Sequence, residues 1–410
     1  MMIPIWRGSF PHILATTLFF LFSRQSNAAM PDLTTNPAPL GSQVTTLPAL
    51  KKPEGLRPCC AFGHDLQAEL KGAPVPLYRL NNIVESHDLG KHRYNDSIVR
   101  GLTSMIGGGS EKNGIVYTQH GGFIDTAHVR DSMDMTYWVA SQFLQHPGSA
   151  LRVRLSDELA HREIVVHPYR VPSDPQAAFS VVVWTAARVA FDLAAWHEIA
   201  QWYGFESVPG FSEGVSAFSP EDLYSNLVGV RLAASLLLSG QGAELQQYNQ
   251  QATQVLTQAL DQLGAVSRQE TARQFDRLDG QWWDSQQRVP NKWLVLHRNY
   301  STDSTRRPTP IPGEPSANHL LALPEQVAGV TLDKVAALQL LPARSSSQLP
   351  VFSGSLTRDD FPRLAQQAEA QDTNRSPPAC QRVQSDALDR DAHAAIDKQE
   401  MAVNEVRSFR

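Results

Sequence analysis

The sequence predicts an α+β protein, with a mainly helical core and a small antiparallel β element. Three observations lead there. Long apolar stretches repeat at helical spacing, a few short runs alternate or carry β-branched residues, and the composition marks off one body of globular character between two polar flanks.

Four helices are expected. The first spans 124–145, with Ile124, Ala127, Met135, Trp138, Val139 and Phe143 close to a 3.6-residue repeat. The second, 177–203, is apolar on most faces, which places it centrally, and Gly204 supplies its C-terminal stop. The third begins at Ser219-Pro220-Glu221-Asp222, with Ser219 as N-cap, Pro220 at the first helical position and two acids in the first turn. It runs to Leu238 and stops at Gly240. The fourth, 243–263, is rich in glutamine and so less buried. Strands are expected at 114–118, 151–155, 163–167 and 293–298, the middle two pairing as a hairpin.

The flanks read differently. Residues 13–22 (ILATTLFFLF) form an uncharged run behind Arg7, followed by small-x-small sites at Ser26-Asn27-Ala28 and Asn27-Ala28-Ala29. This is the pattern of a cleavable signal peptide over 1–28, so a periplasmic location is expected. A retained anchor is the alternative, but the run is much shorter than the roughly 20 residues that span a bilayer, so no stable transmembrane anchor is expected after cleavage. Residues 29–55 read as an extended leader and 56–343 as the main folded domain. Residues 344–410, poor in large apolar side chains after Phe361, read as a mostly disordered tail with a weak helix at 387–406.

Charge excludes one class of partner. The formal charge of −5 becomes about −7 when Arg7 and Arg24 leave with the signal. There is no basic run or stripe, so no nucleic-acid partner is expected. No phosphate-binding loop, dinucleotide glycine pattern or G-x-S-x-G motif occurs. The three cysteines are Cys59, Cys60 and Cys380. An oxidising compartment permits a bond from one of the adjacent pair to Cys380 and leaves one thiol over.

Three constellations could carry chemistry. In Trp196-His197-Glu198 the second expected helix carries a His-Glu pair, as in the H-E-x-x-H helix of zincin metallopeptidases, whose histidines bind zinc while the glutamate activates water. Position 201 is glutamine, a poor zinc ligand, so the missing ligand must come from elsewhere. Glu221 is the expected source, with Asp222 in support; the structural alternative is that both acids serve the helix dipole. The second constellation is Gly121-Gly122-Phe123-Ile124-Asp125-Thr126-Ala127-His128-Val129-Arg130-Asp131. Asp125, His128 and Asp131 step three residues apart along one side of a helix start. That arrangement suits a histidine ligand flanked by carboxylates, or a solvated charged face. The third is Pro58-Cys59-Cys60-Ala61-Phe62-Gly63-His64, where a cysteine at a helix start could act as a nucleophile with His64 or His128 as base. Trp282-Trp283-Asp284 is expected as a core anchor.

Taken together, RPCCAFG (57–63), GGFIDTAHVRD (121–131), WHEIAQWYG (196–204) and FSPEDLYSN (218–226) resemble the domain-of-unknown-function (DUF) 4056 family of exported bacterial proteins, over about residues 56–300. The resemblance implies export and no particular activity. Members are often described as lipoproteins, but no cysteine follows the apolar run here, so that property is not carried over.

The leading expectation is a metal-dependent hydrolase acting on peptide or cell-envelope material. Glu198 would be general base, His128, His197 and Glu221 ligands to zinc, and Asp125, Asp131 and Asp222 supporting groups. The alternatives are a non-enzymatic envelope protein with a buried polar network, and a cysteine hydrolase using Cys59 or Cys60.

Overall fold

The computed structural model describes residues 33, 46–53, 57, 61–70, 73–80, 82–95, 111–207, 212–350, 352 and 354–375. The expected signal peptide, Cys59, Cys60, Cys380 and the weak helix at 387–406 lie outside the described residues.

Three helices make the centre. Helix α1 (Thr126–Leu144) starts where Asp125 accepts the N–H of Ala127 at 2.7 Å, an N-cap that satisfies one of the open donors of the first turn. Helix α2 (Pro175–Trp202) is capped by Asp174, with Pro175 in the first helical position. Helix α3 (Asp222–Leu238) is buried along nearly its whole length. All three pack against one another. The α1–α3 crossing is very close at Gly229: a Cβ there would lie 2.2 Å from the backbone oxygen of Val129, so only glycine permits the approach. Helix α4 (Leu245–Gln262) packs on α3 and buries one face. Helix α5 (Arg268–Leu278), capped by Ser267, closes a second apolar cluster built from Phe62, Phe123, Phe275, Trp282 and Trp283. The expected role of the tryptophan pair as core anchors holds, since both rings are buried.

The β content is small and antiparallel. Strands β1 (Leu66–Leu70) and β2 (Ala73–Leu80) pair, as do β3 (Ile115–Thr118) and β4 (Gly122–Asp125). β4 runs directly into α1, so the helix expected from 124 begins at Thr126. The expected hairpin is present as β5 (Leu151–Arg154) and β6 (Ala160–Val166). Short pairs β7 (Thr305–Arg306) with β8 (Leu321–Ala322), and β9 (Gln326–Val327) with β10 (Val330–Thr331), follow. Strand β11 (Ala336–Pro342) then adds to the far side of β6, giving the order β11-β6-β5. Its alternate residues Ala336, Leu338 and Leu340 are buried in the same core as α2.

Three expectations need correction. The strand expected at 293–298 is a 3-10 turn at Lys292–Leu294, because the Asn291 side chain accepts the N–H of Trp293 at 2.9 Å and holds a turn there. Ser219 does not cap α3: its hydroxyl donates to Glu221 at 2.7 Å, and the regular helix begins only at Asp222. The fold also continues beyond 343. Helix α6 (Phe361–Arg375) packs on α2, with Phe361, Leu364, Ala365 and Ala368 buried and the Tyr203 hydroxyl donating to the Leu364 carbonyl at 3.0 Å. Few large apolar residues suffice there because they recur at helical spacing and meet the Trp196 and Trp202 end of α2. Helix α2 is long and apolar enough to cross a membrane by length and composition, yet most of that stretch is buried inside the protein, as expected of a core helix.

Candidate metal centre

The β3–β4 hairpin and the close α1–α3 crossing bring the two helix starts together. Asp125 closes β4 and caps α1, His128 lies just inside α1, and Asp222 is the first residue of α3. The Asp125 N–H donates to the Ser225 hydroxyl at 2.9 Å, and that hydroxyl donates to the Glu221 carbonyl at 2.8 Å, so the two starts are stitched across the crossing. One ligand atom each from Asp125, His128 and Asp222 lies within 4.8 Å of the others. His128 Nε2 is 3.3 Å from Asp222 Oδ1. Ligand atoms sharing one ion at ~2.1 Å lie about 3–4 Å apart, so the group needs only a small closure to hold a metal.

Two further acids surround this group. Glu198, on α2, is 0 % exposed; its Oε2 accepts the N–H of Phe218 at 2.6 Å, while Oε1 is buried with no hydrogen-bond partner among the described residues. Glu221 Oε2 accepts from Ser219, and its Oε1 is likewise buried without one. Burial pushes the Glu221 carboxyl up to about 8, with Asp125 and Glu198 adding to the rise. Burial, then Glu221, Glu198 and Asp125, hold Asp222 well above the usual carboxylate range. Burial raises Glu198 as well, against the opposing pull of His128 and His197. The His128 imidazole is pushed down, chiefly by burial, and so favours the neutral form that binds metals. Burial and mutual repulsion oppose ionisation of Glu198, Glu221 and Asp222; a bound dication would offset that repulsion while the His128 imidazole stays neutral to ligate it.

Residues 47–312 match the family described as "Protein of unknown function (DUF4056)". The chain belongs to the DUF4056 family. The match spans well over half the chain and contains every residue of this cluster, while α6 lies beyond it. Among curated proteins and among solved structures nothing matches.

Within this DUF4056 chain the residues singled out from sequence fall into three places. Asp125, His128, Glu198, Glu221 and Asp222 come together, and it is Asp125 and Asp222, expected only in support, that with His128 form the group able to hold a metal, rather than Glu221. His197 does not join them. Its Nδ1 lies 3.4 Å from Glu158 Oε2, and its Nε2 lies 2.9 Å from the Gln201 amide and 3.9 Å from Glu213. Burial opposes its charge, but Glu158 above all, then Glu213 and Glu198, raise it to about 9. A ring protonated at both nitrogens requires Gln201 to turn its amide oxygen toward Nε2, which also gives that buried oxygen a partner. Asp131 belongs to another network, in which the Arg57 guanidinium meets Glu111 at 2.7 Å, Asp131 at 2.7 Å and Asp134 at 3.0 Å. His64 pairs with Asp276 at 2.8 Å. Three residues went unremarked in the sequence: Glu158, the partner of His197; Arg298, which donates to the carbonyls of Val215, Ala217 and Lys292 and so steadies the turn that serves Glu198; and Arg306. Glu158 and Arg298 are set apart from ordinary surface charges by these contacts, and Arg306 by its burial.

Proposed function

We propose that the protein is a periplasmic metal-dependent hydrolase acting on peptide or cell-envelope material. The observation that carries this reading is the buried Asp125–His128–Asp222 group, flanked by Glu198 and Glu221, each with one buried oxygen lacking a hydrogen-bond partner among the described residues. One imidazole with carboxylates suits zinc, and Glu221 offers a further oxygen donor. Zinc, when bound, would polarise the scissile carbonyl and make its bound water acidic near neutral pH.

The chain's own groups then have defined tasks. Asp125, His128 and Asp222 would hold the ion, and the first turn of α1 fixes two of them relative to each other. Glu198 takes a proton from the water as its oxygen attacks the carbonyl carbon. When the carbon–nitrogen bond breaks, Glu198 returns that proton to the leaving nitrogen. Water is thereby added across one amide bond, with no change of oxidation state. The Phe218 N–H holds Glu198 by Oε2 and leaves Oε1 for this exchange. The apolar run and small-residue cleavage sites at the N-terminus support export to the periplasm.

Elemental analysis of the purified mature protein tests this reading, beside His128→Ala and Asp222→Asn controls. About one equivalent of metal in the wild type, lost in both variants, is expected for a site with these ligands. No bound metal under zinc-replete conditions would leave a proton-sharing polar network, the role of a non-enzymatic envelope protein.

A further inference from the structure

Arg306 stands apart from the other buried arginines. It is 6 % exposed, yet its Nε and Nη1 are buried with no hydrogen-bond partner, and no carboxylate lies within ion-pair distance among the described residues. Arg130, Arg231 and Arg298 also leave a buried Nε open, but each makes at least one hydrogen bond. Arg57 meets three carboxylates, Arg130 donates to Asn113 and the Leu89 carbonyl, Arg231 donates to the Ala322 carbonyl, and Arg298 donates to three carbonyls. A buried cation with open donors is costly unless something anionic completes it.

The segment that carries Arg306 lies on the metal-binding turn. Asn299 donates its N–H to the Phe218 carbonyl at 2.9 Å, and Thr309 donates its hydroxyl to the Pro220 carbonyl at 2.6 Å. Asn299 and Thr309 are themselves joined at 2.8 Å. Residues 299–309 therefore bracket the 218–222 turn, which supplies Glu221, Asp222 and the N–H that binds Glu198. A small pocket opens alongside, lined in part by Phe123, Glu221, Tyr224, Pro308, Thr309 and Ile311. The acids that bear on Arg306 electrostatically are Glu198 and the exposed Asp303.

We infer that Arg306 is the receptor for a carboxylate of the substrate, held over the 218–222 turn beside the reacting centre. This rests on the hydrolase reading and narrows it to peptides presenting a free carboxylate near the scissile bond. A guanidinium fork matches the two coplanar oxygens of a carboxylate. Glu198 and Asp303, the acids that bear on Arg306, favour a monoanion over a phosphate dianion, which they would repel more strongly.

The test uses the full mature protein after chelator treatment, so that binding to a metal cannot stand in for binding to Arg306. The probes are N-acetylalanine, its uncharged amide and inorganic phosphate, read by calorimetry on wild type, Arg306→Gln and Arg306→Lys. N-acetylalanine should bind wild type at least tenfold more tightly than the amide or phosphate does. Arg306→Gln should lose that preference, Arg306→Lys should keep part of it, and both should bind zinc with wild-type stoichiometry. Without ligand, Arg306→Gln should melt no earlier than wild type, because it removes an uncompensated charge. Equal binding of acid and amide, a preference for phosphate, or unfolding of both variants would overturn the inference. Carboxylate binding at Arg306 in a protein that takes up no zinc would uphold it and sink the hydrolase reading instead.

Discussion

The sharpest separation between a ligand and a neighbour comes from His197→Gln. His197 is half-buried, with 14 % of its side chain exposed, and its charge is held by Glu158 and Glu213. Glu198 adds to the attraction, His128 opposes it, and Arg162 competes for Glu158 at 2.7 Å. A rise from 6.5 to about 9, at ~1.4 kcal/mol per pH unit, makes the ion pair worth about 3 kcal/mol when fully formed. Because the folded value lies above the unfolded one, that stability is complete below pH 6.5 and is lost as the pH climbs through about 9. At the acid end Glu158, held below its usual range by Arg162 and His197 against the cost of burial, sets the limit: its share fades as the pH falls below the ordinary glutamate value. Thermal unfolding of chelated wild type and His197→Gln at pH 6, 8 and 10 reads this out. With roughly 0.6 kcal/mol per degree for a body of this size, the gap should be about 5 °C at pH 6 and shrink to well under about one degree at pH 10. Zinc stoichiometry should be the same in both proteins. A gap that does not change with pH, or loss of zinc from His197→Gln, would refute the reasoning.

Other perturbations test neighbouring claims. Glu198→Gln keeps the shape of the side chain and should retain zinc while losing about 10²–10⁴ in turnover of a peptide substrate; unchanged turnover would remove Glu198 from the reaction. Arg57→Met strands Glu111, Asp131 and Asp134 around a buried gap and should cost about 3–5 kcal/mol in denaturant unfolding, with a loss under about 1 kcal/mol contradicting the network. Gly229→Ala forces a Cβ into the Val129 carbonyl, so it should destabilise by about 1–3 kcal/mol and weaken zinc binding in a titration, by moving α3 away from α1. Phe361→Ala, at the α6–α2 contact, should cost about 3–5 kcal/mol; a negligible loss would mean that α6 contributes little to the fold.

The helical core was legible because its residues repeat at helical spacing and its ends carry capping groups. Gly204, just beyond its end, marks the stop of α2, whereas its start at Pro175, behind Asp174, lies two residues before the expected 177. Strand β11 was not foreseen: Ala336–Pro342 acquires its meaning only by pairing with β6, some 170 residues earlier in the chain. Helix α6 was missed for a related reason. A few apolar residues stabilise a helix only when a partner surface exists to receive them, and α2 provides it.

For the site, the sequence by itself determined which chemistry was on hand: Asp125 and His128 one step apart at a helix start, a His-Glu pair inside an apolar helix, and acids at the next helix start. The tertiary structure decided which of them meet. His197 and Glu198 are consecutive on α2, and neighbours on an α-helix point about 100° apart, so one packing direction cannot serve both. The turn at Phe218 and the start of α1 at His128 lie on the Glu198 side, while the Glu158 side takes His197. Asp222 rather than Glu221 comes within 3.3 Å of His128 in the same way, because the regular helix starts at Asp222. Residue identity is written in the chain; the direction a side chain faces is set by what the folded chain packs against it.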